Sequence, residues 1–300
     1  MTTGIITDKL TKTYAGSKVP SLDQLSLQVK PGEVYGYLGA NDAGKSTTIR
    51  LLLNFIHPTG GSASVNGLDI VKDSVKVKKH VGYLSGDVTL WPKVTGQQMF
   101  DYLLKLQCVC DKTYLHTLIK RFEATTDQPI SSLSKGNRQK IGIIQAFMHQ
   151  PNILILDEPT SGLDPLMQEA FYETVREARD RGAAVLMSSH NLVEAQTVCD
   201  RVGIIKHGKL VREQSITHAP SLGLTTFRVV LSDASTLAKL KHADGLKFLS
   251  QDGAHAAIVQ ADGPLSKALK SLSTFDIREI TTQQLSLEDE FLEFYGANES

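Results

Sequence analysis

The feature that most constrains the fold of this chain is a glycine-containing segment that follows a predicted strand and begins a predicted helix at about Lys45. The segment fits the pattern G-x-x-x-x-G-K-[ST] and reads Gly39-Ala40-Asn41-Asp42-Ala43-Gly44-Lys45-Ser46. In such a loop, backbone N–H groups surround phosphate oxygens and the helix N-terminus adds positive potential. A plain glycine-rich turn is the weaker alternative, because strand, loop and helix occur in the required order.

This loop predicts a site for a triphosphate. Lys45 would reach the β- and γ-phosphates, the Ser46 hydroxyl would bind Mg²⁺, and Thr47 extends the predicted binding segment by one residue.

A second set of candidate residues follows the apolar run Ile153–Leu156, which predicts a buried strand. Asp157 would hold Mg²⁺ through the water shell of the metal, and Glu158 would face the γ-phosphate and polarise the attacking water. An Asp-Glu pair that only caps the next helix would explain these two residues equally well in isolation. Beside a phosphate-binding loop, the catalytic interpretation is favoured.

Apolar runs alternate with helical patterns along most of the chain, which predicts a mostly parallel sheet covered on both faces. The predicted strands are Leu25–Val29, Val34–Leu38, Ile153–Leu156, Ala184–Met187 and Val202–Ile205. Residues 88–130 have a mainly helical pattern, and another helix is predicted up to about Arg181.

The composition changes near residues 217–224, a polar stretch with proline and glycine that predicts a linker. The pattern beyond it is strand, helix, strand, strand, helix, strand, which is the ferredoxin-like order. A final helix is predicted from Ser286 to Gly296. We therefore expect an α/β ATPase-type domain over residues 1–220, with a helical subdomain at about 88–145, and a small α+β accessory or regulatory domain over residues 221–300.

Further segments resemble the motifs of one family, the ATP-binding subunits of ABC transporters. The run Leu133-Ser134-Lys135-Gly136-Asn137-Arg138-Gln139 resembles the family signature LSGGQ, Ser161-Gly162-Leu163-Asp164 resembles the D-loop, and Ser188-Ser189-His190 resembles the switch-histidine segment. Tyr14 stands where the family has an aromatic residue that stacks on adenine. The resemblance covers about residues 4–215 in the order of the family's motifs.

This resemblance implies the P-loop NTPase fold of ABC type, with ATP and Mg²⁺ as cofactors. It also implies that two subunits enclose two ATP molecules head to tail. Catalytic roles fall on Glu158 and His190, whereas Ser134 and Gly136 would bind the γ-phosphate held by the opposite subunit, and Asp164 would contribute through the D-loop. A homodimer or pseudo-dimer and a membrane permease on a separate chain are the implied partners.

The end of the chain resembles bacterial ATPases that serve ABC-2-type exporters, because residues 285–293 read LSLEDEFLE, like the SLE-[DE]-x-F ending of those proteins. An amphipathic helix that closes a small domain is the alternative interpretation. The resemblance favours an exporter over an importer.

The chain departs from the family pattern at several positions. Asp42 replaces a glycine of the phosphate loop, where a left-handed backbone is tolerated by Asp but a carboxylate beside phosphates should weaken binding. Gly86 stands where a glutamine normally touches Mg²⁺ and water, and Asp87 is the predicted substitute as a metal ligand. Lys135 and Asn137 alter the signature but leave its serine and glycine.

Composition limits the other functions. Lys plus Arg and Asp plus Glu number 32 each, so no general attraction to nucleic acid is expected. No secretory signal and no apolar run of membrane-spanning length is found, so we expect a cytoplasmic protein without a membrane anchor of its own. The family resemblance implies that it is peripheral on the cytoplasmic face of the cell membrane. The alternatives are a nucleotide-sensing subunit with little hydrolysis and a soluble ABC-type ATPase of translation or repair.

Overall fold

In the computed structural model, the chain is described at residues 3–216, 226–233, 236–241 and 243–283. The chain divides into two compact units, Met1–Ile216 and Thr217–Ser300. The domain boundary predicted after residue 220 lies close to this division, and independent folding of the two parts stays a prediction.

Two sheets and a set of helices build the first unit. Its strands are β1 (Ile5–Lys12), β2 (Leu22–Val29), β3 (Glu33–Leu38), β4 (Gly60–Val65), β5 (Leu68–Asp69), β6 (Val81–Leu84), β7 (Ile153–Asp157), β8 (Ala184–Ser189), β9 (Arg201–Lys206) and β10 (Lys209–Ser215). Its α-helices are α1 (Lys45–Leu52), α2 (Ser74–His80), α3 (Gly96–Leu106), α4 (Thr113–Arg121), α5 (Lys135–Phe147), α6 (Pro165–Asp180) and α7 (Leu192–Val198). Within the described residues, none of the helices is both long and apolar enough to cross a membrane.

The larger sheet has the strand order β10-β9-β3-β8-β7-β6 among the described residues. Every neighbouring pair from β9 to β6 is parallel, and β10 pairs with β9 as an antiparallel hairpin. The predicted mostly parallel sheet is therefore confirmed. Because β3, β8 and β7 are parallel neighbours, the segments that follow them leave the sheet at the same edge, which is where open α/β sheets bind their ligands.

A second, antiparallel sheet with the order β2-β1-β4-β5 was not predicted. The run Leu25–Val29 belongs to β2 in this sheet and not to the parallel one. Buried and exposed residues alternate along β2, which is the pattern of an antiparallel strand with one face towards the core. Leu27 and Val65 from this sheet share one buried cluster with Ile155 and Leu186 from the larger sheet.

The helical region is more interrupted than the predicted span 88–130. Thr95 begins α3 with a capping box, because its side chain accepts from the Gln98 N–H while the Gln98 side chain accepts from the Thr95 N–H. The chain leaves α3 after Leu106 and takes a left-handed backbone at Cys108, with φ of 56°. The cap at Thr95 and the left-handed backbone at Cys108 fix where α3 begins and where the chain turns after it, so the helical pattern of residues 88–130 corresponds to two separate α-helices, α3 and α4.

In the second unit, the described residues form a sheet with two short helices. The elements are β11 (Thr226–Leu231), α8 (Leu237–Leu240), β12 (Leu246–Gln251), β13 (Ala256–Ala261), α9 (Leu265–Leu272) and β14 (Ile277–Gln283). The sheet is antiparallel with the order β12-β13-β11-β14. The elements thus follow the predicted order along the chain, whereas the ferredoxin-like assignment stays a prediction. The helix predicted over Ser286–Gly296 lies outside the described residues.

Candidate active site

A pocket of about 790 Å³ opens at the edge of the large sheet where β3, β7 and β8 end. Most of the predicted site residues line it: Tyr14, Ala40, Asn41, Asp42, Gly44, Lys45, Ser46, Thr47, Asp87, Asp157, Glu158 and His190. Ser21, Arg50 and Ser161 also line the pocket and were not predicted. Gly39 and Ala43 are buried within the loop itself.

The loop between β3 and α1 requires glycine at two positions. A Cβ at Gly39 would lie 2.7 Å from the carbonyl oxygen of Ile205, and Gly44 has φ of 112°. Asp42 has a left-handed backbone, with φ of 65°. Asp is among the few residues other than glycine that tolerate this conformation, so the loop forms despite the departure.

Lys45 is the first residue of α1, and its side chain is buried in the loop. Nζ donates to the carbonyl oxygen of Gly39 at 2.5 Å and to that of Ala40 at 3.3 Å. It also lies 3.3 Å from Oε1 of Glu158. The ammonium group therefore joins the phosphate-binding loop to the carboxylate that follows β7.

Asp157 is held between two hydroxyl groups at the end of β7. Ser188 donates to Oδ1 at 2.5 Å, and Ser46 donates to Oδ2 at 3.3 Å. A Cβ at Gly86 would lie 3.6 Å from Oδ2 of Asp157, so a side chain at position 86 would begin beside this carboxylate. Hydroxyl and carboxylate oxygens are the ligands that Mg²⁺ prefers.

No group of three or more His, Cys, Asp or Glu side chains in the described part of the chain could hold a metal alone. Mg²⁺ usually takes one or two carboxylates together with substrate phosphates and water, so the Ser46 and Asp157 pair fits this ion.

Glu158 and His190 meet at the mouth of the pocket. Nδ1 of His190 lies 2.6 Å from Oε2 of Glu158, and the His190 side chain is 66% exposed against 23% for Glu158. The Glu158 N–H donates to both the carbonyl oxygen and Oγ of Ser188, each at 3.2 Å. Glu158 therefore has one carboxylate oxygen towards Lys45 and the other towards His190, while its backbone is attached to β8.

A buried carboxylate behind this pair was not predicted. Glu194 on α7 is 5% exposed and accepts hydrogen bonds from Thr160 at 2.8 Å and from Ser189 at 2.5 Å. Burial raises the pKa of the Glu194 carboxyl, and the charge of Glu158 adds to this effect. A glutamate in the first turn of a helix is usually explained by its favourable interaction with the helix dipole. The local sequence pattern therefore gave no sign of the contacts with Thr160 and Ser189.

The aromatic side chain of Tyr14 lies just beyond β1 at the pocket wall, 37% exposed, with Nζ of Lys12 5.4 Å from the centre of its ring. An exposed ring at this place fits the predicted stacking on adenine, which stays a prediction.

The signature residues Ser134 and Gly136 and the D-loop residue Asp164 do not line the pocket of their own chain, whereas Ser161 at the start of the D-loop does. Ser134 caps α5 by accepting from the Asn137 N–H at 3.2 Å, and Asp164 caps α6 by accepting from the Met167 N–H at 3.0 Å. The start of α5 lies against the D-loop, since a Cβ at Gly136 would be 3.4 Å from the Gly162 carbonyl oxygen. Ser134, Gly136 and Asp164 thus lie outside the pocket of their own chain, as residues that contact a nucleotide in a second subunit would. Those contacts stay a prediction.

Comparison with known proteins gives the same family throughout. The family model described as ABC transporter matches residues 22–161. The bacitracin transport ATP-binding protein BcrA of Bacillus licheniformis is 32% identical over 99% of this chain and 98% of its own length. The daunorubicin/doxorubicin resistance ATP-binding protein DrrA of Streptomyces peucetius is 32% identical over 98% of this chain and 93% of its own length.

Solved structures resemble the fold of most of this chain. The structure of an ATP binding subunit of an ABC transporter has a TM-score of 0.67 and 27% identity, and covers 71% of this chain and 90% of its own. A dimeric bacterial ABC transporter cassette, MJ0796, has a TM-score of 0.64 at 22% identity over 71% of this chain and 99% of its own.

Proposed function

This chain belongs to the ATP-binding subunits of ABC transporters, and we propose that it is the ATP-hydrolysing motor of an exporter that drives a permease on a separate chain. The observation that carries this proposal is the position of the Glu158 carboxylate between Lys45 and His190, beside the phosphate-binding loop. A carboxylate base and a cation beside a phosphate-binding loop are groups that hydrolysis of a phosphoanhydride uses, and His190 contacts that base.

The loop from Gly39 to Ser46 binds the triphosphate through its backbone N–H groups, and Lys45 offsets the charge of the β- and γ-phosphates. Thr47 extends this segment, and the Tyr14 ring stacks on the adenine. The contacts of Lys45 with loop carbonyls support this role, because they hold the ammonium group where the outer phosphates would lie.

Mg²⁺ would be held by the Ser46 hydroxyl and, through water, by Asp157, with Asp87 at the pocket wall as a further ligand. The metal supplies charge neutralisation on the phosphate oxygens during transfer. The hydrogen bond from Ser188 holds the Asp157 carboxylate in place for this task.

Glu158 orients the attacking water and accepts its proton, and His190 holds the carboxylate in the direction of the γ-phosphate. The backbone bonds of Glu158 to Ser188 support this role, since they fix the main chain from which the side chain extends, and the contacts with Lys45 and His190 hold the carboxylate itself.

We also propose that two copies of the chain, or this chain and a related one, close head to tail on two ATP molecules. Ser134 and Gly136 at the start of α5 then complete the site of the opposite subunit, with Asp164 nearby. Exposure of Ser134 and Asp164 outside their own pocket supports this arrangement. Hydrolysis reopens the dimer and thereby moves the permease.

The export direction is supported by the names of two relatives, which refer to bacitracin transport and to daunorubicin/doxorubicin resistance. An exporter motor of this kind works as a peripheral protein on the cytoplasmic face of the cell membrane, bound to its permease.

The test is the Mg-ATPase activity of the purified chain, measured alone and with membranes that contain the membrane protein encoded by the neighbouring gene. Hydrolysis that the membranes stimulate supports the proposal. Hydrolysis that no candidate permease alters contradicts the transport part, and nucleotide binding without hydrolysis contradicts the motor part.

A nucleotide-sensing subunit with little hydrolysis is a second candidate, and a specific observation favours it. Gly86 has no side chain beside Asp157, and Asp42 brings a carboxylate to the phosphate loop. ATP-dependent dimerisation without measurable turnover, even with the permease present, is the result this candidate predicts.

A further inference from the structure

Glu194 connects the two segments that carry Glu158 and His190. Its Oε1 accepts from Thr160, two residues after Glu158, and its Oε2 accepts from Ser189, one residue before His190. Each of the two oxygens of this buried carboxylate thus accepts a hydrogen bond from a different segment. The catalytic roles proposed above do not involve this residue.

The hydrogen-bond directions around Ser189 leave little freedom in this arrangement. Its Oγ accepts from the Asn191 N–H at 2.9 Å and donates to Glu194 at 2.5 Å, a shorter contact than the 3.3 Å to its other acceptor, the Asn191 carbonyl oxygen. Asn191 in turn caps α7, the helix that carries Glu194, by accepting from the Val193 and Glu194 N–H groups. The residues on either side of His190 are therefore both hydrogen-bonded to α7, Ser189 through the Glu194 side chain and Asn191 through backbone N–H groups. Thr160, in the turn after Glu158, is hydrogen-bonded to the same helix.

We propose that Glu194 is a positioning residue that holds the Glu158 turn and the His190 segment at the spacing at which their side chains meet. Its action is indirect, through Thr160 and Ser189, because Glu194 does not line the pocket. This inference rests on the proposed ATP hydrolysis at Glu158.

Stability alone is a poor account of this carboxylate. Burial of a carboxylate opposes folding, and buried ionic groups can often be replaced by apolar residues of similar volume without loss of stability. The neighbouring charge of Glu158 makes the burial of a second carboxylate still less favourable. What the carboxylate does provide is two acceptors at a fixed separation, one for each segment.

The experiment compares E194A and E194Q with wild type in kcat, KM, Mg-ATP affinity and melting temperature. E194A should lower kcat on the order of ten- to a hundredfold, because small displacements of reacting groups have effects of this size. Its Mg-ATP affinity should stay within about twofold of wild type, since the phosphate loop is unchanged. E194Q should keep most of the kcat, because its amide oxygen accepts from Ser189 and its NH₂ donates to the Thr160 hydroxyl.

The matched control is E33A. Glu33 is also a largely buried glutamate that binds a neighbour, Arg201, but it lies at the opposite end of β3 from the phosphate loop. E33A should lower the melting temperature and leave kcat unchanged. Equal losses of kcat in E33A and E194A would overturn the inference, because both would then reflect general destabilisation.

A double-variant comparison separates positioning from structure. If Glu194 acts through the pair, E194A should lower kcat no further in an H190A background, whereas independent effects would multiply. Multiplying losses, or a wild-type kcat in E194A, would overturn the inference. If E194A does not fold, T160V and S189A each remove one of the two hydrogen bonds and should each lower kcat several-fold with ATP affinity retained; wild-type kcat in both overturns it.

Failure of the proposed function has a different signature. An E158Q variant that hydrolyses ATP at the wild-type rate refutes hydrolysis at Glu158, and the role of Glu194 falls with it. An inactive E158Q beside a fully active E194A refutes the role of Glu194 alone.

Discussion

Nδ1 of His190 lies 2.6 Å from Oε2 of Glu158, and this contact joins the segments that follow the neighbouring parallel strands β8 and β7. Glu158 has a left-handed backbone with φ of 47°. A non-glycine residue is held in this conformation only when its surroundings fix it, and such residues concentrate at active sites.

The first prediction concerns this carboxylate. Glu158→Gln should lower the ATPase rate by ~10²–10⁴-fold, because the base is lost, while Mg-ATP affinity is retained because the phosphate loop is intact. The variant should also accumulate as an ATP-dependent dimer on a sizing column. Glu169→Gln, an exposed position on α6, is the control and should hydrolyse ATP normally. Wild-type turnover in Glu158→Gln would refute the catalytic role.

The second prediction concerns the carboxylate in the phosphate loop. Asp42→Gly should tighten Mg-ATP binding about tenfold, because it removes a negative charge beside the triphosphate and any strain at φ of 65°. Asp42→Asn should give only the charge part of this gain, since Asn also tolerates the left-handed backbone. Asp42→Ala removes the charge but worsens the strain, and should bind less tightly than Asp42→Gly.

Salt separates the two contributions in that series. The gain of Asp42→Asn should shrink as ionic strength rises, whereas the difference between Asp42→Gly and Asp42→Ala should persist. Calorimetric titration of Mg-ATP at low and high salt measures both. Equal affinities of Asp42→Gly, Asp42→Asn and wild type at both salts would mean that the Asp42 carboxylate does not act on the phosphates.

The third prediction concerns the pH dependence of folding. His149 follows α5, its Nε2 is buried without a partner in the described residues, and burial lowers the pKa of its ring below 6.5. As the pH falls below 6.5, the unfolded chain takes up a proton that the folded chain does not, so the free energy of unfolding decreases. This contribution reaches at most about 1.4 kcal/mol per pH unit. Above that pH both states are neutral and the contribution vanishes.

His149→Gln should flatten this part of the stability curve. Urea unfolding between pH 7.5 and 5 measures the slope, with His116→Gln, an exposed position on α4, as the control. Identical slopes for His149→Gln and wild type would show that the ring is protonated as easily in the folded chain as in the unfolded one.

The fourth prediction concerns the second unit. Removal of residues 221–300 should leave a folded, ATP-binding protein, because every predicted nucleotide residue precedes the division after Ile216. Differential scanning calorimetry and Mg-ATP titration of the truncated protein test this, with the full chain as reference. The absence of a cooperative melting transition would refute the proposed boundary. Altered dimerisation with ATP affinity retained would support a regulatory role for the removed part.

The sequence indicated which loop segments lie together better than it indicated the sheets. The loop pattern and the run before Asp157 each fix a short local geometry, so the meeting of Lys45, Ser46 and Asp157 at one edge followed from parallel strands alone. The left-handed backbone that an Asp at position 42 was expected to tolerate is present there. The motif patterns were sufficient for these residues because each motif includes the turn or the helix start that positions its side chains.

What the sequence did not predict depends on contacts between distant residues. The apolar pattern of Leu25–Val29 is compatible with a strand in either sheet, and only its pairing with β1 shows that it belongs to the antiparallel one. Glu194 likewise gains its importance from Thr160, which is 34 positions away and belongs to another segment. A pattern read along one segment does not contain information of this kind.

The position of β8 between β3 and β7 has a consequence for the synthesis of the protein. β8 is the last of these three strands to leave the ribosome, yet it lies between the other two, so β3 and the β6–β7 pair are not joined into one sheet until residues 184–189 are available. A nascent chain that ends earlier exposes the unpaired edges of two apolar strands, which invites association with other chains. ATP binding that needs Asp157 and the phosphate loop together therefore begins only after β8 is inserted, and the nucleotide then stabilises the completed sheet by mass action.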